Sequence, residues 1–362
     1  MRYHILSSDV QPAYLQLYRQ LREDIIKGVY PHGSKLPSKR LVATDTGVSV
    51  ITVEHAYAIL CDEGYLESRE RSGYFVIYRE EDSFPVGIHE MQELPPAAHE
   101  ADLQDPFPFS VLAKTMRRVL TERGESLLVK SPNNGCPELR RALAAYLARS
   151  RGINVLPSQI IIGSGAEYLY SLIVQFLGKE RVFALESPSY EKIRRVYQAN
   201  GITCDMLKLG KDGIRTEELE RTEASVLHVT PFNSFQSHIT ATASKRSEYI
   251  RWATRRGGYI VEDDFDSEFT VSTKAEDTLF SLEPNRTVFY LNTFSKTVAP
   301  SIRVGYMVLP ACEAETFNQK VGFYSCTVPV FEQYVLAELI SSGDFERHIN
   351  RVRRTRRKSQ GK

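Results

Sequence analysis

Residues 292–306 read NTFSKTVAPSIRVGY. The stretch is a strand end, a polar turn holding one lysine, then the start of another apolar strand. Taken alone, Lys296 is a surface lysine on a turn. Its neighbours change that reading. Thr293 and Ser295 place hydroxyls beside it, and Arg303 follows seven residues later.

Three further stretches belong to the same picture. Residues 261–269, VEDDFDSEF, end an apolar strand in a block of carboxylates that includes Asp263. Residues 160–168, IIIGSGAEY, read as a strand, a glycine turn and a helix start, so the backbone N–H groups near Gly165 and Ala166 can hold a phosphate. Residues 186–190, ESPSY, put the aromatic Tyr190 just beyond a strand end. Each has a plainer explanation: a common strand-to-helix turn, a solvated or metal-binding acidic loop, a core tyrosine. Together they are the parts of a pyridoxal phosphate site. The lysine forms the Schiff base, a carboxylate keeps the pyridine nitrogen protonated, and hydroxyls with an arginine grip the phosphate.

Working outward, short apolar runs alternate with helical patterns from Phe107 to the end. Such alternation predicts a mostly parallel sheet flanked by helices. The preceding residues 79–106 are acidic, dotted with proline and aperiodic, and read as a linker.

Residues 1–78 follow a different plan. Leu15, Tyr18, Leu21, Ile25 and Ile26 fall at helical spacing, and Gly28 closes that helix. A turn-rich loop, VYPHGSKLPS, leads to a short helix ending at Gly47. A second helix is capped by Ser49 and stopped by Gly64. Two short strands then surround a Ser72-Gly73 turn. Helix, helix-turn-helix and hairpin are the order of a winged helix, whose second helix enters the major groove. Ser49 and Thr52 stand at the start of that helix. Lys39, Arg40, Arg69 and Arg71 are candidates to neutralise phosphates, or else solvated surface charges.

Composition sets outer bounds. The chain has 362 residues, 42% hydrophobic and 25% charged, with a net charge of +1, so no global field points to a nucleic acid. Five scattered cysteines without ligand spacing, and the lack of an apolar leader, lead to the expectation of reduced thiols in a cytoplasmic protein. No apolar run approaches the ~20 residues of a membrane span.

The N-terminal stretch resembles the winged-helix domain of GntR-type regulators over its whole length. The family's G-x-x-L-P-S-x-R-x-L-A stands here as GSKLPSKRLVA, and its E-G-Y-L-x-x-R-x-G-S-G-x-F-V as EGYLESRERSGYFV. The resemblance carries DNA contacts onto Arg40, Ser49, Thr52, Ser72 and Gly73. One departure stands out: the family's V-S-R-x-T-V is VSVITV, with Val50 in place of a base-reading arginine. Valine cannot donate to guanine.

From Phe107 to Arg357 the chain is similar to fold-type I aminotransferases, and most of all to the aminotransferase-like domain of MocR-type regulators. There a GntR winged helix is fused to that domain. The resemblance gives Lys296 the aldimine role and makes Asp263 the pyridinium partner. It places Arg303, Thr293 and the backbone at Gly165 and Ala166 on the phosphate, Tyr190 near the ring and Asn233 near the ring hydroxyl. Phe265 replaces a tyrosine that faces the ring oxygen, and TPFNSFQSHIT replaces T-P-S-H-Q-F-P-T-G. The chain stops at FERHINRVRRTRRKSQGK, where the family begins the long helix leading into a C-terminal subdomain. That subdomain, with its substrate-gripping arginine, is expected to be lacking.

The implied protein is a DNA-binding transcriptional regulator that senses pyridoxal 5'-phosphate, or an amine reacting with it, through Lys296. Its expected partners are double-stranded operator DNA and a second copy of itself. Two alternatives stay open at this point: a pyridoxal-phosphate aminotransferase with an accessory DNA-binding domain, and a repressor whose large domain is a cofactor-free scaffold.

Overall fold

The computed structural model describes residues 3–5, 11–79, 105–234, 236–265, 267–269 and 276–360. The chain divides into two compact units, Met1–His99 and Glu100–Lys362. Nearly all of the expected linker lies outside the described residues.

The first unit contains α1 (Ala13–Ile26), α2 (Lys39–Thr46), α3 (Val50–Asp62), β1 (Leu66–Arg69) and β2 (Gly73–Val76). Side-chain caps start both helices of the helix-turn-helix. Ser38 Oγ accepts the Leu41 N–H at 3.3 Å and Ser49 Oγ accepts the Thr52 N–H at 3.1 Å. Gly47 ends α2 at φ 71°, a conformation that favours glycine. The buried seam of α1 is Leu17, Tyr18, Leu21 and Ile25. The expected seam was therefore rotated: Ile26 is exposed, and Leu17 takes the interior position four residues before Leu21. The hairpin pairs Leu66 with Val76 and Arg69 with Gly73. The loop before α2 is more ordered than its turn residues suggest. Lys35 forms an isolated β-bridge with Phe75, and the Leu36 N–H donates to the Tyr74 carbonyl at 2.9 Å, which ties this loop to the wing.

The second unit opens with α4 (Phe109–Arg123) and α5 (Pro137–Arg151). It then alternates β3 (Ile160–Gly163), α6 (Ala166–Leu177), β4 (Val182–Ser187), α7 (Glu191–Ala199) and β5 (Thr203–Lys208). The alternation continues through α8 (Thr216–Arg221), β6 (Val226–Val229), α9 (Ala243–Arg256), β7 (Tyr259–Asp263) and α10 (Leu279–Leu282). Strands β8 (Val288–Thr293) and β9 (Gly305–Val308) precede α11 (Ala314–Val321), α12 (Val330–Ser341) and α13 (Asp344–Gln360).

Among the described residues, the strands of this unit lie in the order β3-β9-β8-β7-β6-β4-β5. All run parallel except β9, which is antiparallel to both neighbours. The reason is local. Residues 294–304 join β8 to β9 without a crossover helix, and a parallel return needs one. Strands β3, β6 and β9 are buried at every position, as expected of a sheet covered on both faces.

One face packs against α5, α9, α12 and α13 through residues such as Leu143, Trp252, Leu336 and Phe345. The other packs against α6, α7 and α11 through Ile173, Tyr197 and Phe317. The C-terminal ends of the parallel strands open on one edge of the sheet, where ligands of open α/β sheets bind.

Candidate functional site

A cavity of about 410 Å³ lies at that edge in the large unit. Asp263 reaches it from the end of β7, Thr293 from the end of β8 and Thr230 just beyond β6. Ser295, Lys296 and Arg303 come from the β8–β9 connection, Ala166 from the start of α6, and Tyr190 from the residue before α7.

The three acidic residues at the end of β7 have separate fates, because side chains alternate across a strand. Glu262 accepts the N–H groups of Leu279 and Phe280, each at 2.8 Å, and so holds the start of α10. Burial pushes its carboxyl up to about 8. Asp264, on the same face, forms a buried ion pair with Arg151 and accepts the Tyr290 hydroxyl at 2.7 Å. Burial pushes the Asp264 carboxyl up, with the Arg151 charge pulling against it. Asp263 alone turns to the cavity. The acidic block is thus not a solvated loop, since all three are buried; among the described residues no group of side chains that could hold a metal occurs.

Asp263 is held by groups that the sequence reading missed. The Tyr170 hydroxyl donates to its Oδ2. His228 Nε2 lies 3.8 Å from the same oxygen, and the His228 Nδ1 is 2.8 Å from the Tyr197 hydroxyl. Burial, then the Asp263 charge, push the Tyr170 hydroxyl well above its ordinary range, so it remains a donor. The other carboxylate oxygen, Oδ1, is buried and has no hydrogen-bond partner among the described residues. A buried acceptor without a donor is costly. A protonated ring nitrogen in the cavity fits it.

The candidate phosphate-binding corner lies where the start of α6 meets the β8–β9 connection. Gly165 adopts φ +90°, and a Cβ there would come within 3.1 Å of Arg303 Nη2. Glycine therefore lets the guanidinium approach the start of α6. Arg303 also lies 3.4 Å from Ser295 Oγ. Glu167, in the first turn of α6, was not anticipated. It accepts Lys192 Nζ at 2.8 Å and lies 3.7 Å from Arg303. Lys296 Nζ sits 4.4 Å from the centre of the Phe265 ring.

The structure gathers Lys296, Asp263, Arg303, Thr293, Ser295, Ala166 and Tyr190 around one cavity, with Gly165 behind Arg303. Asn233 is the exception. It adopts φ 51°, its Oδ1 lies 3.0 Å from His238 Nδ1, and it does not line the cavity. Thr230 and Tyr170 are among the residues that line the wall. Tyr170 was legible in principle: it falls four residues after Ala166, on the same helix face.

In the first unit, Arg40, Ser49, Arg71 and Ser72 are exposed. Lys39 is committed to Glu54 at 2.6 Å. Arg69 pairs with Glu67 at 2.8 Å and lies over the Phe75 ring at 4.5 Å. Ser49 Oγ is 2.9 Å from Thr52 Oγ1, so both hydroxyls serve the helix cap. Gly73 carries φ +108° at the hairpin tip, where a Cβ would meet Lys35 Cε at 3.0 Å. Lys35 is an exposed wing cation that the sequence reading passed over.

Comparison with known proteins agrees with both units. Residues 13–76 match the bacterial regulatory proteins of the gntR family, and residues 100–361 match aminotransferase class I and II. The HTH-type transcriptional regulator YdeL of Bacillus subtilis is 33% identical, over 96% of this chain and 78% of that protein. The probable rhizopine catabolism regulatory protein MocR of Rhizobium meliloti is 30% identical, over 95% and 74%. The pyridoxine biosynthesis regulator PdxR of Corynebacterium glutamicum is 29% identical, over 94% and 75%. Among solved structures, the α-aminoadipate aminotransferase LysN of Thermus thermophilus, complexed with N-(5'-phosphopyridoxyl)-L-leucine, superimposes with a TM-score of 0.60 at 28% identity. That match covers 68% of this chain and 64% of LysN, so the chain spans less than two thirds of that enzyme's length. Two matched domains and near full-length similarity to such regulators lead to one conclusion: the chain belongs to the MocR-type transcriptional regulators, with a gntR-family winged helix joined to a class I and II aminotransferase domain.

Proposed function

We propose that the large unit binds pyridoxal 5'-phosphate through Lys296, and that the state of this site sets the affinity of the winged helix for operator DNA. The observation that carries the reading is Asp263 Oδ1, a buried acceptor without a hydrogen-bond partner among the described residues, in the cavity that also holds Lys296. The cavity's size suits the cofactor, since small-molecule sites run to about 300–1,000 Å³. A regulator of pyridoxine biosynthesis among the relatives, and a phosphopyridoxyl ligand in a structural neighbour, support the same ligand.

When bound, the cofactor supplies an aldehyde that condenses with a primary amine and releases one water. Lys296 offers its Nζ for that position, and an incoming amine competes for it. Asp263, fixed by Tyr170, holds a proton on the ring nitrogen. Thr293, Ser295, Arg303 and the backbone at Gly165 and Ala166 hold the phosphate. Sensing is favoured over turnover by Phe265, whose ring against Lys296 Nζ offers no donor to a ring oxygen. For the site to act on DNA, the cofactor or its amine adduct must bind two arrangements of the protein unequally. A homodimer reading two half-sites completes the proposal.

Borohydride reduction in the presence of pyridoxal phosphate, followed by peptide mass spectrometry, tests the binding step. The expected result is a stable adduct on Lys296 alone. Labelling spread over surface lysines contradicts it.

A further inference from the structure

The helix that should read bases carries none of the usual bidentate readers of purines. Helix α3 is VITVEHAYAILCD, without arginine, lysine, asparagine or glutamine. Arg or Lys reads guanine and Asn or Gln reads adenine, each through hydrogen bonds in the major groove. What α3 presents outward is Val50, 41% exposed, and Ile51, 66% exposed, followed by Glu54, His55 and Ala58. Neither Val50 nor Ile51 belongs to the core of its unit or packs against it. The nearby polar groups are spoken for. Ser49 and Thr52 bond to each other, and the Glu54 carboxylate accepts Lys39. His55 lies edge-on to the Tyr14 ring.

A pair of β-branched apolar side chains standing in water on a DNA-reading helix has one good partner in the major groove. That partner is the 5-methyl group of thymine, the apolar feature of the groove edge. We infer that this chain selects its operator through Val50 and Ile51 packing on thymine methyl groups, with Arg40, Lys35 and Arg71 holding the phosphate backbone. Specificity then comes from exclusion of water between methyl groups rather than from bidentate hydrogen bonds. The inference rests on the DNA-binding role of the gntR-family unit and assigns its specificity-determining residues.

The test uses the full-length protein. Duplexes are selected from a random-sequence library, and the selected duplex is then made with deoxyuridine in place of thymidine, position by position. This change removes a methyl group and leaves every hydrogen-bonding edge intact. The expected consensus specifies T·A pairs opposite α3. Binding should fall about fourfold for each contacted methyl removed, the equivalent of one buried methylene. Ile51→Ser should bind the thymidine duplex as weakly as the wild type binds the deoxyuridine duplex, and should lose sensitivity to the exchange. Ile51 is exposed, so this variant folds; Val50→Arg should bring guanine into the consensus. Equal binding of thymidine and deoxyuridine duplexes overturns the inference while leaving DNA binding intact. So does an Ile51→Ser protein that dissociates into monomers yet keeps the wild-type consensus, which would make the patch a contact between copies. A library from which nothing is enriched overturns the DNA-binding role together with the inference.

Discussion

The Tyr170 hydroxyl donates to Oδ2 of Asp263, while Oδ1 of the same carboxylate stands buried without a hydrogen-bond partner among the described residues. On the proposed function, one oxygen is fixed by the protein and the other receives the cofactor's ring nitrogen, which makes Tyr170 a positioning residue acting through Asp263. Tyr170→Phe should keep the adduct at Lys296 but weaken pyridoxal phosphate binding about 10- to 150-fold, since a hydrogen bond to a charged group contributes about 1.5–3 kcal/mol. It should also move the bound cofactor's visible absorbance, a change that loss of packing alone does not produce. Titration followed by absorbance checks both.

The closeness of Arg303 to Gly165 makes a second prediction. A Cβ at residue 165 would sit 3.1 Å from Arg303 Nη2, on a backbone at φ +90° that L side chains rarely adopt. Gly165→Ala should weaken pyridoxal phosphate more than it weakens pyridoxal, because only the phosphate uses that corner. Equal losses for the two ligands would place the phosphate elsewhere.

The buried carboxyls give stability a definite pH dependence. Burial pushes Glu186 and Glu262 up to about 8, from an ordinary value of 4.5. Between those values the folded protein holds protons that the unfolded chain has shed. Stability therefore falls as pH rises through that window. Glu186→Gln cannot ionise and can still accept the Ser234 hydroxyl, which lies 2.8 Å from Glu186 Oε2. Thermal melts across the window should show a shallower decline for this variant than for the wild type.

Breaking the Arg151–Asp264 pair should be costly. Side chains of both residues are buried, and Asp264→Asn leaves a guanidinium without its counter-charge. A loss of about 3–5 kcal/mol is expected. Denaturant unfolding of the full chain measures it.

How much of this was readable beforehand follows from the physics of each feature. Glycine stops, serine caps and strand–helix alternation are local signals, so the winged helix and the parallel sheet were legible. The candidate residues that line the cavity stood out because their order along the chain is informative even when each is ambiguous. Three things were not local. The α1 seam turned on which of Leu15, Leu17 and Ile26 faces α3, a choice made by packing. Tyr170 and His228 gain their roles only when α6 and β6 come beside Asp263. Asn233 fails to reach the cavity because its loop turns at positive φ, with Asn233 bonded to His238 and Thr240. A residue-by-residue analogy does not transmit a changed loop path.

The central claim joins Lys296 to DNA. It is tested most directly by measuring operator affinity of the full-length protein with and without pyridoxal phosphate, for the wild type and for Lys296→Ala. A change of about 5- to 150-fold is expected in the wild type, the usual range of allosteric coupling, and none in the variant. Identical wild-type affinity with and without the cofactor, at concentrations that saturate Lys296, would contradict it.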